Sequence, residues 1–192
     1  MNWDNAFTAR SPYGTVKGSP SYAGALSFMR RKYSQDLQGV DVAVAGIPLD
    51  TATTNRPGAR FGPRAVRAAS AGISWERPWP WTFDPFDSLA VVDYGDCEFD
   101  PGMPETIVPY IEKYFDRILD SGAASLMIGG DHFVTYPVLR SYAKKHGPLS
   151  LVHFDAHSDT WGEEQHRLDH GTMFYHAVKE GLVDDGRSVQ IG

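Results

Sequence analysis

The stretch "SLMIGGDHFVTYPVLRSYAKKHGPLSLVHFDAHSDT", residues 125–160, decides the fold. An apolar run (125–130) ends in two glycines, a helical pattern covers 133–146 and stops at Gly147-Pro148, and a second apolar run, "LSLVHFD", follows at 149–155. Strand, helix and strand in that order, repeated along the chain, describe a parallel sheet.

The same pattern extends outward on both sides. "DVAVAGIP" (41–48), "SLAVVDYG" (88–95) and "RSVQIG" (187–192) are short, continuous and bounded by Gly, Pro or Asp, as strands buried on both faces should be. Between them, Pro63 in "GPRAVRAASAG" is placed to start a helix. "ETIVPYIEKYFDRILDSG" repeats apolar residues at 107, 108, 111, 114, 115, 118 and 119 and stops at Gly122, with Pro109 in its first turn or delaying its start. A last helix is expected around "TMFYHAVKEG". These elements predict an α/β domain with a mostly parallel sheet covered on both faces. Residues 1–38, rich in Ser, Tyr, Gly and Pro, read as an irregular arm with a short helix at most near "AGALSFMRRKY", so the domain itself is expected over 39–192. "SWERPWPWTFDPF" (74–86) is too rigid and apolar for a linker and reads as an ordered loop, packed on the domain or at a subunit contact.

Composition narrows the partners. At 192 residues, with 42% hydrophobic and 22% charged side chains, the chain has the makings of one ordinary globular domain. A net charge of −6 with scattered Lys and Arg argues against a nucleic-acid surface, and a small-molecule partner fits better. The single cysteine, Cys97, forms no intrachain disulfide, and no stretch reaches the ~18 apolar residues of a membrane span or has the layout of a signal peptide. The expected location is cytoplasmic.

Ligands of open α/β sheets bind at the carboxyl ends of the strands, and the polar residues gather there. In an extended chain Asp155, His157 and Asp159 begin on one face. Two carboxylates brought together without a basic side chain repel each other, and a divalent cation resolves that repulsion. The alternative is that Asp155 caps a following helix while His157 and Asp159 form a local ion pair. A second strand ends in Gly129-Gly130 and then Asp131 and His132; Asp131 suits a helix N-cap, which leaves His132 for the site. Two imidazoles and two carboxylates form a mixed N/O set suited to manganese, zinc or a similar divalent ion. Of His166, His170 and His176, His170 is the best candidate to face the site, because Gly171 beside it permits a tight approach.

Four motifs, "TNRPGARFGPRAVR" (54–67), "GGDHFVT", "LVHFDAHSDT" and "DHGTMFYHAVKEGL", in this order from about residue 40 onward, resemble the ureohydrolase family of arginases and agmatinases, and within it the bacterial agmatinase branch. The resemblance implies a three-layer α/β sandwich of the arginase type, with a binuclear manganese centre at the sheet's carboxyl edge. It implies hydrolysis of a guanidinium to urea and an amine by a metal-bridging hydroxide, two metals serving to lower the water's pKa. Matched by motif, His132 and Asp159 would hold one manganese, His157 the other, and Asp155 would bridge both. Asp159 would also accept the hydroxide's hydrogen bond, and His170 would pass a proton to the departing amine. The family further implies a homo-oligomer, a trimer or hexamer.

After the last aspartate of the motif stand Trp161, Glu163 and Glu164, which suit an apolar chain ending in a cation better than one ending in an α-carboxylate. They equally read as a packing residue and solvated loop charges. Agmatine, giving putrescine and urea, is therefore the expected substrate, with 4-guanidinobutyrate or another guanidino acid as the alternative. A metal-binding subunit without turnover, and a deacetylase-like hydrolase that the motif order fits less well, are the other readings. Ureohydrolases also carry a later D-x-D motif and an acidic residue that holds the guanidinium, and neither occurs in these residues, so the domain reads as C-terminally incomplete. The expectation is that the 192 residues alone bind at most one manganese firmly, turn over little agmatine, and leave "RSVQIG" as an apolar edge open to association.

Overall fold

The computed structural model describes residues 21–74, 77–162 and 167–192. Its sheet is built from strands that read as apolar runs. β1 (Lys32–Tyr33), β2 (Val42–Ile47), β3 (Val91–Asp96) and β4 (Ala124–Gly129) pair in the order β1-β3-β2-β4, and every pairing is parallel. β5 (Val152–Phe154) and β6 (Val189–Ile191) form a second parallel pair.

The two faces of β2 show why this is a three-layer arrangement. Successive side chains of a strand point to opposite faces. Ala43, Ala45 and Ile47 enter the main core, with Val92 and Tyr94 of β3, while Val42 and Val44 pack with Phe86, Val91 and Phe28 in a separate cluster. The main core is closed by α2 (Pro104–Ser121), α3 (Thr135–His146) and α4 (Met173–Lys179), through Ile107, Ile111, Phe115, Ile118, Leu139, Met173 and Phe174. On the opposite face lies α1 (Gly62–Ala71), where Gly46 makes room for Pro63: a Cβ on Gly46 would lie 2.9 Å from the Pro63 Cβ.

Helix ends fall where local chemistry sets them. Pro63 sits at the first turn of α1. Gly122 and Gly147 follow α2 and α3 with φ of 85° and 77°, conformations that glycine reaches without steric cost. α2 starts at Pro104, earlier than expected, and holds Pro109 inside the helix. Part of the stretch read as an irregular arm is ordered: Phe28–Arg30 is a 3-10 turn and Lys32–Tyr33 joins the sheet edge. A buried ion pair ties that segment down. Arg67 of α1 donates to Asp93 at 2.8 and 3.0 Å and to Asp96 at 2.5 Å, while the Phe28 amide donates to the same Asp93 carboxylate at 2.7 Å.

The expectation that all strands are buried on both faces holds for β2 and β3 and is corrected for the others. β4 alternates between exposed and half-buried residues, β5 buries only His153, and all of β6 is exposed. An apolar run marks a strand, but what covers its outer face is set by distant residues.

A candidate metal centre at the carboxyl edge

Each element that reaches the carboxyl edge is held there by backbone geometry. At the end of β4, the Gly130 and Asp131 amides donate to the Ile47 and Leu49 carbonyls at 3.0 and 2.8 Å. A Cβ on Gly130 would fall 1.9 Å from the Leu49 oxygen, so glycine alone allows this close approach. Asp131 then caps the following turn, accepting from the Phe133 amide at 3.1 Å, as its position in the sequence suggested. With Asp131 so engaged, His132 faces the site.

From the next strand, Asp155 and Asp159 arrive on the same imidazole. His132 Nδ1 lies 2.7 Å from Asp159 Oδ2 and 3.3 Å from Asp155 Oδ2. One Nδ1–H serves only one acceptor well, so a second acceptor converges on a place where a single proton is insufficient. Asp159 reaches it through a left-handed backbone, φ 52°, which costs energy in most residues and is tolerated best by Asn and Asp. The Asp155 carboxylate is held on its other oxygen by the His157 amide at 2.9 Å. That hydrogen bond, with the His132 and His153 imidazoles, outweighs partial burial and keeps Asp155 below the usual carboxylate range.

The expected ligands do not all sit alike. His157 is 81% exposed, with Nδ1 3.4 Å from Asp155 Oδ1, and it lies at the open rim. His153, which drew no attention in the sequence, is instead 6% exposed. Ligand atoms of His132, His153 and Asp155 all lie within 4.8 Å of one another, a set that could hold a metal ion. The signal that would have found His153 is its place two residues before Asp155, as an imidazole inside an otherwise apolar run.

His170 meets the others across a cavity of about 450 Å³ lined by Thr54, His157, Ser158, Asp159, Trp161 and Gly171. Its Nε2 is buried without a hydrogen-bond partner among the described residues. Asp169 shapes this turn by accepting from the Gly171 amide at 2.9 Å and from Arg167. Burial alone would raise the Asp169 carboxyl, but those donors outweigh it and hold it low. The Trp161 amide donates to the Gly171 carbonyl at 3.0 Å, and its indole lies so close that a Cβ on Gly171 would approach it to 3.2 Å. Glu163 and Glu164 lie outside the described residues. A second opening beside the first is lined by Thr53, Asn55 and Arg56 together with His132 and Asp155, so the "TNRPG" loop borders the site.

Two carboxylates converging on one imidazole nitrogen, with further imidazoles near, form a mixed N/O donor set that fits a divalent cation. The sequence profile of the arginase family matches residues 40–192. The chain belongs to the arginase family. Within the family it is 58% identical over 191 residues to an agmatinase of Chromobacterium violaceum, covering 98% of this chain and 59% of that protein. The crystal structure of a hypothetical agmatinase from Burkholderia thailandensis superposes with a TM-score of 0.94 at 57% identity, covering 98% of this chain and 60% of the other. Proclavaminate amidino hydrolase from Streptomyces clavuligerus follows at TM-score 0.80 and 40% identity, over 91% of this chain and 58% of that one. The chain thus spans about 60% of the length of these arginase-family relatives.

Proposed function

We propose that this chain carries the metal-binding part of a ureohydrolase site that hydrolyses agmatine to putrescine and urea. The convergence of Asp155 and Asp159 on His132 Nδ1 is the observation that carries the reading, and identities of 57 and 58% to agmatinases support the substrate. His132, Asp155, Asp159 and His157 would hold manganese. When bound, the metals supply a water of lowered pKa and an electrophilic environment for the guanidinium.

The chain's own residues do the rest. Asp155 and Asp159 bring the negative charge that offsets the cations, and the hydrogen bond that Asp159 accepts from His132 keeps it aimed at the site before metal arrives. His170, lining the same cavity with Nε2 making no hydrogen bond among the described residues, would hold a proton for the departing amine, which leaves poorly without one. The exposed indole of Trp161 forms an apolar wall suited to the methylene chain of agmatine and to cation–π contact with its ammonium. A cytoplasmic homo-oligomer is part of the same proposal.

The likeness to proclavaminate amidino hydrolase keeps one alternative in view, a guanidino acid as substrate. Urea release should be measured with added manganese on agmatine, 4-guanidinobutyrate and arginine. Agmatine is expected to be turned over best. Equal or better turnover of 4-guanidinobutyrate would replace agmatine as the substrate, and firm manganese binding with no urea from any of them would favour a non-catalytic metal-binding role.

A further inference from the structure

His153 projects inward from β5, between the ring of His132 at 5.0 Å and that of Phe174 at 4.8 Å between centroids. Its register partner on β6 is Gln190. Gln190 Nε2 lies 2.9 Å from the Ser158 carbonyl oxygen and 3.0 Å from His153 Nδ1. A carbonyl oxygen only accepts, so the atom facing Ser158 must be the amide nitrogen and not its oxygen. Its second hydrogen then points to Nδ1, which must accept. The imidazole proton is left on Nε2, which makes no hydrogen bond among the described residues and faces Asp155 Oδ2 at 3.5 Å, within ion-pair range.

From this chain of donors and acceptors we infer that His153, with its tautomer fixed by Gln190, is a positioning residue that sets the orientation of the Asp155 carboxylate for metal binding. The inference rests on the metal reading of the site given above. Asp155 Oδ1 is fixed by the His157 amide, whereas Oδ2 is approached, among the described residues, by the two imidazoles, His132 at 3.3 Å and His153 at 3.5 Å. A cation bound by His132 would take the place of the proton on its nitrogen, and the His153 Nε2–H would then be the side-chain donor nearest to Oδ2 among the described residues. The arrangement inverts the familiar one, in which a carboxylate orients a metal-bound histidine. Gln190 also holds the Ser158 carbonyl, and so ties the loop between Asp155 and Asp159 to the same strand pair.

Two measurements on the protein test this. Long-range nitrogen–proton NMR of the imidazoles, in the metal-free and zinc-loaded protein, should find His153 protonated on Nε2 in both. Manganese titration should find affinity lowered about 10- to 100-fold in His153→Leu, as for loss of an outer-shell partner. His153→Gln, whose amide nitrogen reaches where Nε2 lies, should retain most of the affinity. Gln190→Glu cannot donate to Ser158 or to Nδ1, so it should fall with His153→Leu and move the His153 proton to Nδ1. Thermal melts of the metal-free variants separate these effects from loss of fold. Protonation on Nδ1 in the wild type, loss of the Nε2 proton on zinc loading, or equal affinity losses in the Leu and Gln variants would overturn the inference. A wild-type protein that binds no manganese would instead overturn the metal reading itself, and the inference with it.

Discussion

β2 and β5 are both parallel strands rich in apolar residues, and they do different work. Every residue of β2 after Val42 is buried, between helices on one face and the Phe28–Phe86 cluster on the other. β5 buries one residue, and that residue is a histidine, while Phe154 and Val152 are 74 and 63% exposed. The first strand binds the layers together. The second presents polar groups at its end, and its own contribution to the core is small. Stability and chemistry are therefore carried by different parts of the molecule, which makes them separable by mutation.

The largest effect is expected deep in the β2 half. Phe115 of α2 is fully buried in the main core, so Phe115→Ala removes an aromatic ring and leaves a cavity, at a cost of about 3–5 kcal/mol in urea unfolding. Metal affinity of the fraction that remains folded should be unchanged. A Phe115→Ala protein that unfolds like the wild type would dissolve the contrast between the two regions.

Asp155→Ala should do the reverse. On the proposed reading it removes a ligand, so manganese affinity should fall by at least about a hundredfold, or about 2.8 kcal/mol, by titration. Without metal, the change loses the His157 amide hydrogen bond and the imidazole contacts of Asp155 but relieves the crowding of two carboxylates on His132 Nδ1, so metal-free stability should fall by no more than about 1 kcal/mol. A large drop in metal-free stability would mean that Asp155 serves the fold.

His170→Ala should leave manganese binding as it is and slow urea release by about a hundredfold, the low end for a proton donor, because water in the open cavity can replace it in part. Loss of manganese to the same degree as in Asp155→Ala would make His170 a ligand.

How much of this was legible follows the range of the interaction. β2, β3, the start of α1 at Pro63 and the stops at Gly122 and Gly147 depend on neighbours within a few residues, and the sequence displays them directly. The meeting of His132 with Asp155 and Asp159 could be expected because His132 and Asp155 each follow an apolar run, Asp159 lies in the loop just beyond, and parallel strands end at one edge. His153 was missed because its environment comes from Gln190, paired through the β5–β6 register, and from Phe174 on α4. The exposed rim position of His157 and the left-handed turn at Asp159 are properties of a loop, with no periodicity to announce them.

The smallest expected effect sharpens the comparison most. Val152→Thr keeps the β-branched shape that suits a strand and exchanges an outward methyl for a hydroxyl that can bond to water. Because Val152 is already 63% exposed, little apolar burial is lost, and unfolding should shift by under about 0.5 kcal/mol. The same exchange at Val44 of β2, which is fully buried, replaces a methyl packed among Phe86, Val91 and Phe28 with a hydroxyl that must leave water, and should cost about 1–3 kcal/mol. Two identical substitutions on two parallel strands thus differ only in what covers the side chain. If Val152→Thr cost as much as Val44→Thr, the outward face of β5 would be buried in solution, and the strand that carries the site would be part of a core after all.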